Sequence, residues 1–303
     1  MTTPLAAPTL SDRIQTSLNA PADPAVRAFA AHLGEAAGAL AVLFYGSNLR
    51  TGSLDGVLDF YVLLPGGIET GIWPRVSYHE RDEGGHTLRA KVATMTLATF
   101  AAAASGKTLD TTIWARFVQP SGLVWVCDAA QGEAVAEAVA AAAITAARYA
   151  VALGPAAGTA EEYWRALFRA TYRAEFRVEK PGRENDILGV NAAHFSGLMP
   201  AALDAGGIGW SRNGDTLHPQ LGSAQAHALR REWARRARLG KPYNLLRLLR
   251  ASTTFDGAAK YAAWKIERHT GVPVTLTPWR ERHPVLAAPG VLWRVWRARR
   301  LNP

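Results

Sequence analysis

Residues 41–64 read AVLFYGSNLRTGSLDGVLDFYVLL, and the fold turns on this stretch. Two apolar runs of strand length are separated by a Gly-Ser turn and a polar segment, so the order is strand, turn, polar segment, strand. Gly46 and Ser47 make the turn after the first run, and Asp59 stands at the start of the second. Glycine lets backbone approach a ligand closely, and successive N–H groups at a turn form a nest for anions. An aspartate on the neighbouring strand offers the hard oxygen that Mg²⁺ prefers.

Those residue types suit transfer of a nucleotidyl group, which is mostly positioning and charge neutralisation around a triphosphate. A structural alternative stands beside this reading, since an aspartate at a strand end can simply be solvated. Nucleotidyltransferases usually carry two carboxylates spaced Asp-x-Asp, whereas here Val57 and Tyr61 occupy that spacing from Asp59. A second metal ligand must come from elsewhere, and Asp55 is the candidate in this stretch.

At 303 residues the chain has room for two or three modules with a real core. A single cysteine, Cys127, means that neither disulfides nor a cysteine-based zinc site holds the fold. The opening MTTPLAAPTLSDRIQ lacks the basic and apolar regions of a secretory signal. The longest apolar run, 134–153, is interrupted by Glu137 and Arg148 and falls short of about eighteen uncharged residues, so no membrane crossing is expected. Net charge is +9, unevenly spread: from Leu221 onward seventeen Lys and Arg face four Asp and Glu, whereas residues 1–220 carry seventeen against twenty-one. An acidic front and a basic back point to a polyanion as partner of the last third, either an anionic membrane or nucleic acid.

Upstream of the strand pair, residues 1–22 read as a loose lead-in and 23–37 as a helix. In the helix Asp23 caps, Pro24 sits in the first turn, and Val26, Phe29, Ala30 and Leu33 share a face. Downstream, Pro65-Gly66-Gly67 is a turn, and residues 71–86 form a polar segment whose His79 and His86 lack metal-ligand spacing. Residues 88–95 alternate as a strand carrying Lys91, which either faces solvent or reaches towards phosphate. A short helix at 97–105 precedes two apolar runs in 110–127, broken at Pro120-Ser121-Gly122. Arg116 is the lone charge in the first run, so it either pairs with a carboxylate or faces a ligand phosphate. Helices are expected at 132–153, 160–178 and 186–198, with a Gly-rich connector at 206–222. Tyr172 and Glu175 are spaced to share a face of the second of these helices.

The tail opens with LRREWARRARLGKP, a basic helix ended by Gly240 and Pro242, followed by a basic-apolar piece at 243–251 and a helix at 257–268. At the end, Trp293 and Trp296 interleave with Arg294, Arg297, Arg299 and Arg300. Tryptophan favours the membrane–water boundary and arginine pairs with lipid phosphate, so this segment reads as interfacial. A docked terminal helix with solvated arginines is the plainer alternative. Nucleic acid ranks behind lipid, because no nucleic-acid fold motif accompanies the Arg and Trp residues.

Four pieces in chain order resemble one family, the peripheral, mitochondrial-type phosphatidate cytidylyltransferases (CDP-diacylglycerol synthases). They are YGS at 45–47 followed by LDF at 58–60, GGHTLRAK at 84–91, TTIWARFVQP at 111–120 and ATYRAEFR at 170–177. The likeness covers about residues 40–190 and fades beyond Gly206; Glu175 stands where the family has Asp, and the loop between Trp73 and Lys91 is shorter. The family also shows a single Asp at the position of Asp59. The resemblance implies an α+β fold: a nucleotidyltransferase-like mixed sheet with flanking helices over 23–130, a helical module over 131–222 that completes the site, and a basic helical region over 223–303 with an amphipathic tail. It implies Mg²⁺-dependent transfer of CMP from CTP to phosphatidic acid. Gly46 and Ser47 would bind the triphosphate, Asp59 would hold Mg²⁺, Lys91 and Arg116 would neutralise phosphates, and Tyr172, Glu175 and Arg177 would line the site. Asp55 as a further metal ligand rests on its position in the chain alone. A cytoplasmic enzyme, peripheral on the inner face of the membrane, is the expected setting.

Overall fold

The computed structural model describes residues 7–71, 75–83, 85–175 and 182–282, together with positions 287, 289, 290, 293 and 297. Five strands, β1 (Ala41–Tyr45), β2 (Leu58–Leu64), β3 (Arg75–Glu83), β4 (His86–Thr96) and β5 (Ser121–Val126), form one mixed sheet in the order β3-β4-β2-β1-β5. Only β2 and β4 pair in parallel; the other three pairings are antiparallel. Helices α1 (Leu10–Leu18) and α2 (Pro24–Ala37) precede the sheet, and α3 (Ser47–Thr51) follows β1 directly. After β4 come α4 (Leu97–Ala104) and α5 (Thr112–Phe117), and after β5 the long α6 (Ala129–Leu153) and α7 (Ala160–Ala174).

Strand alternation divides the core in two. Val42, Phe44, Phe60, Val62, Leu88, Ala90 and Val92 point to one face and pack under Val26, Phe29, Ala30 and Leu33 of α2. Ala41, Leu43, Tyr61, Leu63, Ala93 and Met95 point to the other, where the larger helical core lies. With both faces covered, β1 and β2 read as continuous apolar runs rather than as alternating ones. Helix α2 is delimited by the groups its sequence announces: the Asp23 carboxylate accepts from the Ala25 N–H at 2.8 Å, and Gly38 ends the helix at φ 58.

Alanine makes α6 the hub of the second core. Ala142, Ala143, Ala146, Ala147 and Ala150 are fully buried, because a methyl side chain lets neighbouring helices approach closely. Among the described residues α6 is the one helix long and apolar enough to cross a membrane, and 67% of its apolar window is buried inside the fold. Its hydropathy is that of a core helix.

Several expectations are corrected. Residues 10–18, read as loose lead-in, form α1, closed by a Thr9–Asp12 capping box and anchored by buried Leu10, Ile14 and Leu18. The polar segment 71–86 contains β3, paired with β4 over nine residues from Arg75–Thr94 to Glu83–His86. Helix α7 ends at Ala174 rather than 178. The helix expected over 186–198 is two, α8 (Arg183–Val190) and α9 (Ala192–Phe195), and α10 (Leu198–Ala205) follows. The connector 206–222 holds a hairpin, β7 (Trp210–Asn213) with β8 (Thr216–Pro219), extended by β6 (Gly158–Thr159) into a small second sheet.

The basic helix does not stop at Gly240. Helix α11 (Ser223–Thr254) runs through both Gly240 and Pro242, and α12 (Ala258–Thr270) and α13 (Pro278–Arg282) follow. Tertiary contacts explain the continuation. Trp233 is buried against Trp114 and Tyr149, with ring centroids 6.3 and 5.6 Å away. A Cβ at Gly240 would fall 2.4 Å from the Ala174 carbonyl, so the glycine admits α7 rather than ending α11. Arg236, 4% exposed, donates to the carbonyl oxygens of Gly106, Thr108 and Leu109. Arg247 Nη1 lies 3.0 Å from both oxygens of Asp110. Part of the basic charge thus holds the fold together.

Candidate active site

One register row crosses the whole sheet. Tyr78 of β3 pairs with Lys91 of β4, Lys91 with Asp59 of β2, Asp59 with Tyr45 of β1, and Tyr45 with Ser121 of β5. Directly paired residues present their side chains to the same face, so Asp59 stands between Lys91 and Tyr45. β1 ends there, and Gly46 turns the chain at φ 95 into α3. A Cβ at Gly46 would lie 3.2 Å from Asp59 Oδ2. The turn and the carboxylate, thirteen positions apart in sequence, are neighbours.

Beside them opens a cleft of about 240 Å³, lined by Tyr45, Gly46, Ser47, Arg50, Asp59, Arg116, Gln119, Pro120, Tyr172 and Ile187. Five of the residues singled out from sequence, Gly46, Ser47, Asp59, Arg116 and Tyr172, line it together. Tyr172 comes from α7 and Ile187 from α8, so these two helices close a cleft that the sheet begins. Asn48, buried below the turn, donates from Nδ2 to the carbonyls of Ser53 and Asp55 at 2.9 and 2.7 Å and fixes the loop leading to β2.

Arg116 projects from α5 into the row. Its Nη1 donates to the Tyr61 hydroxyl at 2.5 Å, and its guanidinium lies 4.9 Å from the Tyr45 ring centroid and 5.7 Å from that of Tyr61. Burial opposes its charge, but Tyr45, Tyr61, Asp59 and Glu175 more than offset that, and its pKa is raised. Burial pushes the Asp59 carboxyl above its ordinary pKa, while Lys91 and then Arg116 draw it back down. Burial lowers the Lys91 pKa, opposed by Asp59. The Asp59 carboxylate thus lies short of water beside two cationic side chains.

The remaining candidates divide. Lys91 is half-buried beside Asp59 but is not among the residues lining the cleft. Glu175 is the residue after α7, in extended conformation, so helical spacing from Tyr172 does not apply to it. It is buried and accepts a hydrogen bond from the Thr111 hydroxyl, behind Arg116 rather than in the cleft wall. Asp55 is exposed and outside the cleft lining, its N–H donating to Ser53 Oγ at 3.1 Å. Arg177 lies outside the described residues, as do Arg294, Trp296, Arg299 and Arg300. Of the terminal segment, Trp293 is exposed and Arg297 stacks over it at 5.5 Å.

Tyr45, Arg50, Gln119, Pro120 and Ile187 line the cleft in addition to the residues expected from sequence. Arg50 falls one helical turn after Ser47, on a helix over residues for which the sequence predicts a turn and polar segment. Tyr45 pairs directly with Asp59, which becomes visible only once register is known.

Among the described residues no group of three or more His, Cys, Asp or Glu is gathered for a metal. Among the residues that line the cleft, Asp59 supplies the one carboxylate. That donor set fits Mg²⁺ in the mode in which one or two carboxylates and substrate phosphates share the ion. The chain matches no family model, and no curated protein matches it.

Proposed function

We propose that this chain is a Mg²⁺-dependent nucleotidyltransferase with a nucleotidyltransferase-like core, moving CMP from CTP to phosphatidic acid to give CDP-diacylglycerol and pyrophosphate. The observation that carries it is the contact of the Gly46-Ser47 turn with Asp59, at the mouth of a cleft that also holds Arg116 and Tyr172. The choice of CTP and phosphatidate rests on the four sequence pieces described above.

In this reading the Gly46-Ser47 turn cradles the triphosphate with backbone N–H groups and the Ser47 hydroxyl. Asp59 would hold Mg²⁺, which when bound neutralises phosphate charge. Arg116, kept cationic and fixed by Tyr61, and Arg50 on the cleft wall balance the phosphates from two sides. Tyr172 and Ile187 offer a flat, largely apolar surface to the base. An oxygen of the phosphatidate phosphate attacks the α-phosphorus of CTP, and its bond forms as the bond from α-phosphorus to the α–β bridging oxygen breaks. Pyrophosphate carries away that electron pair. A phosphate monoester is already ionised at neutral pH, so no strong base is required. Placement in line and cancellation of anion–anion repulsion do the work.

The assay is conversion of labelled CTP in the presence of phosphatidic acid and Mg²⁺, with ATP, GTP and UTP as competitors. Expected is CTP-specific label in a lipid product, lost in Asp59→Ala while vesicle binding persists. Retained turnover in that variant overturns the metal assignment, and label passing to RNA instead overturns the acceptor. The setting proposed is peripheral, at an anionic membrane reached through the basic C-terminal region at about 1 kcal/mol per Lys or Arg near the surface. Removing residues 284–303 is expected to weaken vesicle sedimentation and leave the melting temperature unchanged; early melting would assign that segment to the fold.

A further inference from the structure

Helix α12 lies beyond the stretch where the sequence likeness holds, yet it docks on β3 and β4 of the sheet that carries Asp59. Tyr78 N–H donates to the Asp256 carbonyl at 2.8 Å, the Tyr261 ring packs on Tyr78 at 5.4 Å, and Arg89 lies over Trp264 at 5.4 Å. Tyr78 and Lys91 belong to the register row that contains Asp59, so α12 covers the end of that row remote from Tyr45.

Two exposed cations ride on the flank of this docked face. Lys265 is four residues after Tyr261 and Arg268 four after Trp264, positions that share a side of a helix. Arg268 Nη1 reaches the loop before β2, where a Cβ on Gly56 would meet it at 3.3 Å. Lys265 Nζ lies 5.6 Å from the Tyr261 ring centroid and the Arg268 guanidinium 5.2 Å from that of Trp264, so both are held against the side chains that dock α12 on β3 and β4.

The nucleotide cleft lies on the other side of Asp59, walled by Tyr45, Arg116 and Tyr172. Displacement at phosphorus sets the attacking and leaving oxygens roughly in line, on opposite sides of the reacting atom. An acceptor bearing its own phosphate therefore needs cations on the side away from the departing pyrophosphate. We propose that Lys265 and Arg268 of α12, together with Lys91, form the acceptor's phosphate-monoester site across Asp59 from the nucleotide cleft. This rests on the nucleotidyl-transfer reading above and adds to it the residues that select an anionic acceptor.

The test uses the full-length protein and dihexanoyl phosphatidate below its micellar concentration, which separates headgroup recognition from membrane attraction. Lys265→Ala/Arg268→Ala is expected to raise KM for phosphatidate at least tenfold and leave KM for CTP within twofold. A charge-matched control on exposed α11 positions, Arg231→Ala/Arg235→Ala, is expected to change neither. An unchanged phosphatidate KM, or a CTP KM that rises as much, overturns the proposal. So does a loss confined to vesicle sedimentation, which would make the pair a surface patch. Should wild type turn over no nucleotide, the nucleotidyl-transfer reading fails by itself, and calorimetric titration with the same soluble phosphatidate and with inorganic phosphate decides the site. Binding at least fivefold weaker in the double variant sustains it, stronger for phosphatidate if the acceptor is lipid and equal for both if free phosphate is the ligand. No binding, or equal binding by both proteins, overturns it. If the double variant melts early, Lys265→Gln and Arg268→Gln are measured singly against the same criteria.

Discussion

Gly46 and Asp59 meet so closely that a single added methyl would stand 3.2 Å from the carboxylate, on a backbone at φ 95. Gly46→Ala is therefore expected to lose about 1–3 kcal/mol from the backbone alone, because φ 95 with ψ −162 is a region that essentially only glycine enters, and to displace the carboxylate. Gly38, in the left-handed helical region at φ 58 and ψ 39, has open space around its Cβ position. Gly38→Ala should show a comparable fall in melting temperature with turnover preserved, whereas Gly46→Ala should lower turnover more than tenfold. Equal activity in the two variants would dissociate the turn from the site.

Asp59 is held at some cost to the fold. Its folded pKa is raised above the ordinary 3.8, so between 3.8 and that higher value the folded state binds more protons than the unfolded one. Stability contributed by Asp59 is then lost as pH rises through this window. Asp59→Asn is expected to melt higher than wild type at pH 7, with the gap closing as pH falls towards 4. Thermal melts of both proteins across that range check the sign. A variant that melts lower at pH 7 would mean that the charged form is the stabilising one.

Asp110 and Arg247 make a nearly buried ion pair, 8% and 12% exposed, joined to Thr112 at the start of the helix that bears Arg116. Removing one partner leaves a charge without compensation in low dielectric. Arg247→Ala is expected to lose about 3–5 kcal/mol in urea unfolding. Asp110→Leu/Arg247→Met should lose markedly less, since neither charge is then stranded. A loss under 1 kcal/mol in the single variant would place the pair effectively in solvent.

Gly240→Ala tests whether α11 is held by its own propensity or by its neighbour. In an exposed helix the change stabilises by roughly 1 kcal/mol. Here the new methyl would fall 2.4 Å from the Ala174 carbonyl, and overpacking typically costs about 1–3 kcal/mol. A net fall in stability is expected, readable in the same urea experiment. A rise would show that α7 and α11 can separate without penalty.

What could be read from the chain was whatever its local chemistry determined. Apolar runs and caps marked α2, β1, β2, β4, α4 and α6, and the residue types around Gly46, Asp59, Arg116 and Tyr172 marked a cleft that the fold assembles. Tertiary pairing decided the rest. Strand β3 is polar because it lies at the sheet edge, and it is a strand because nine residues find partners on β4. Gly240 and Pro242 are sound stop signals for an isolated helix, overridden by the burial of Trp233 and by the reach of Arg236 and Arg247. Two signals were present and went unused. Thr9 and Asp12 have capping-box spacing, and Gly214-Asp215 between two short pieces is a two-residue hairpin turn with glycine first.

The bonding of Arg236 and Arg247 alters how the molecule's electricity should be measured. A charge counted along the chain is not a field projected from the surface. A guanidinium wrapped in peptide carbonyls, or facing its own aspartate, releases no counterions when a polyanion arrives. Salt titration of any polyanion complex should accordingly report a shallower slope than seventeen C-terminal cations would suggest, because some of those cations act as internal mortar.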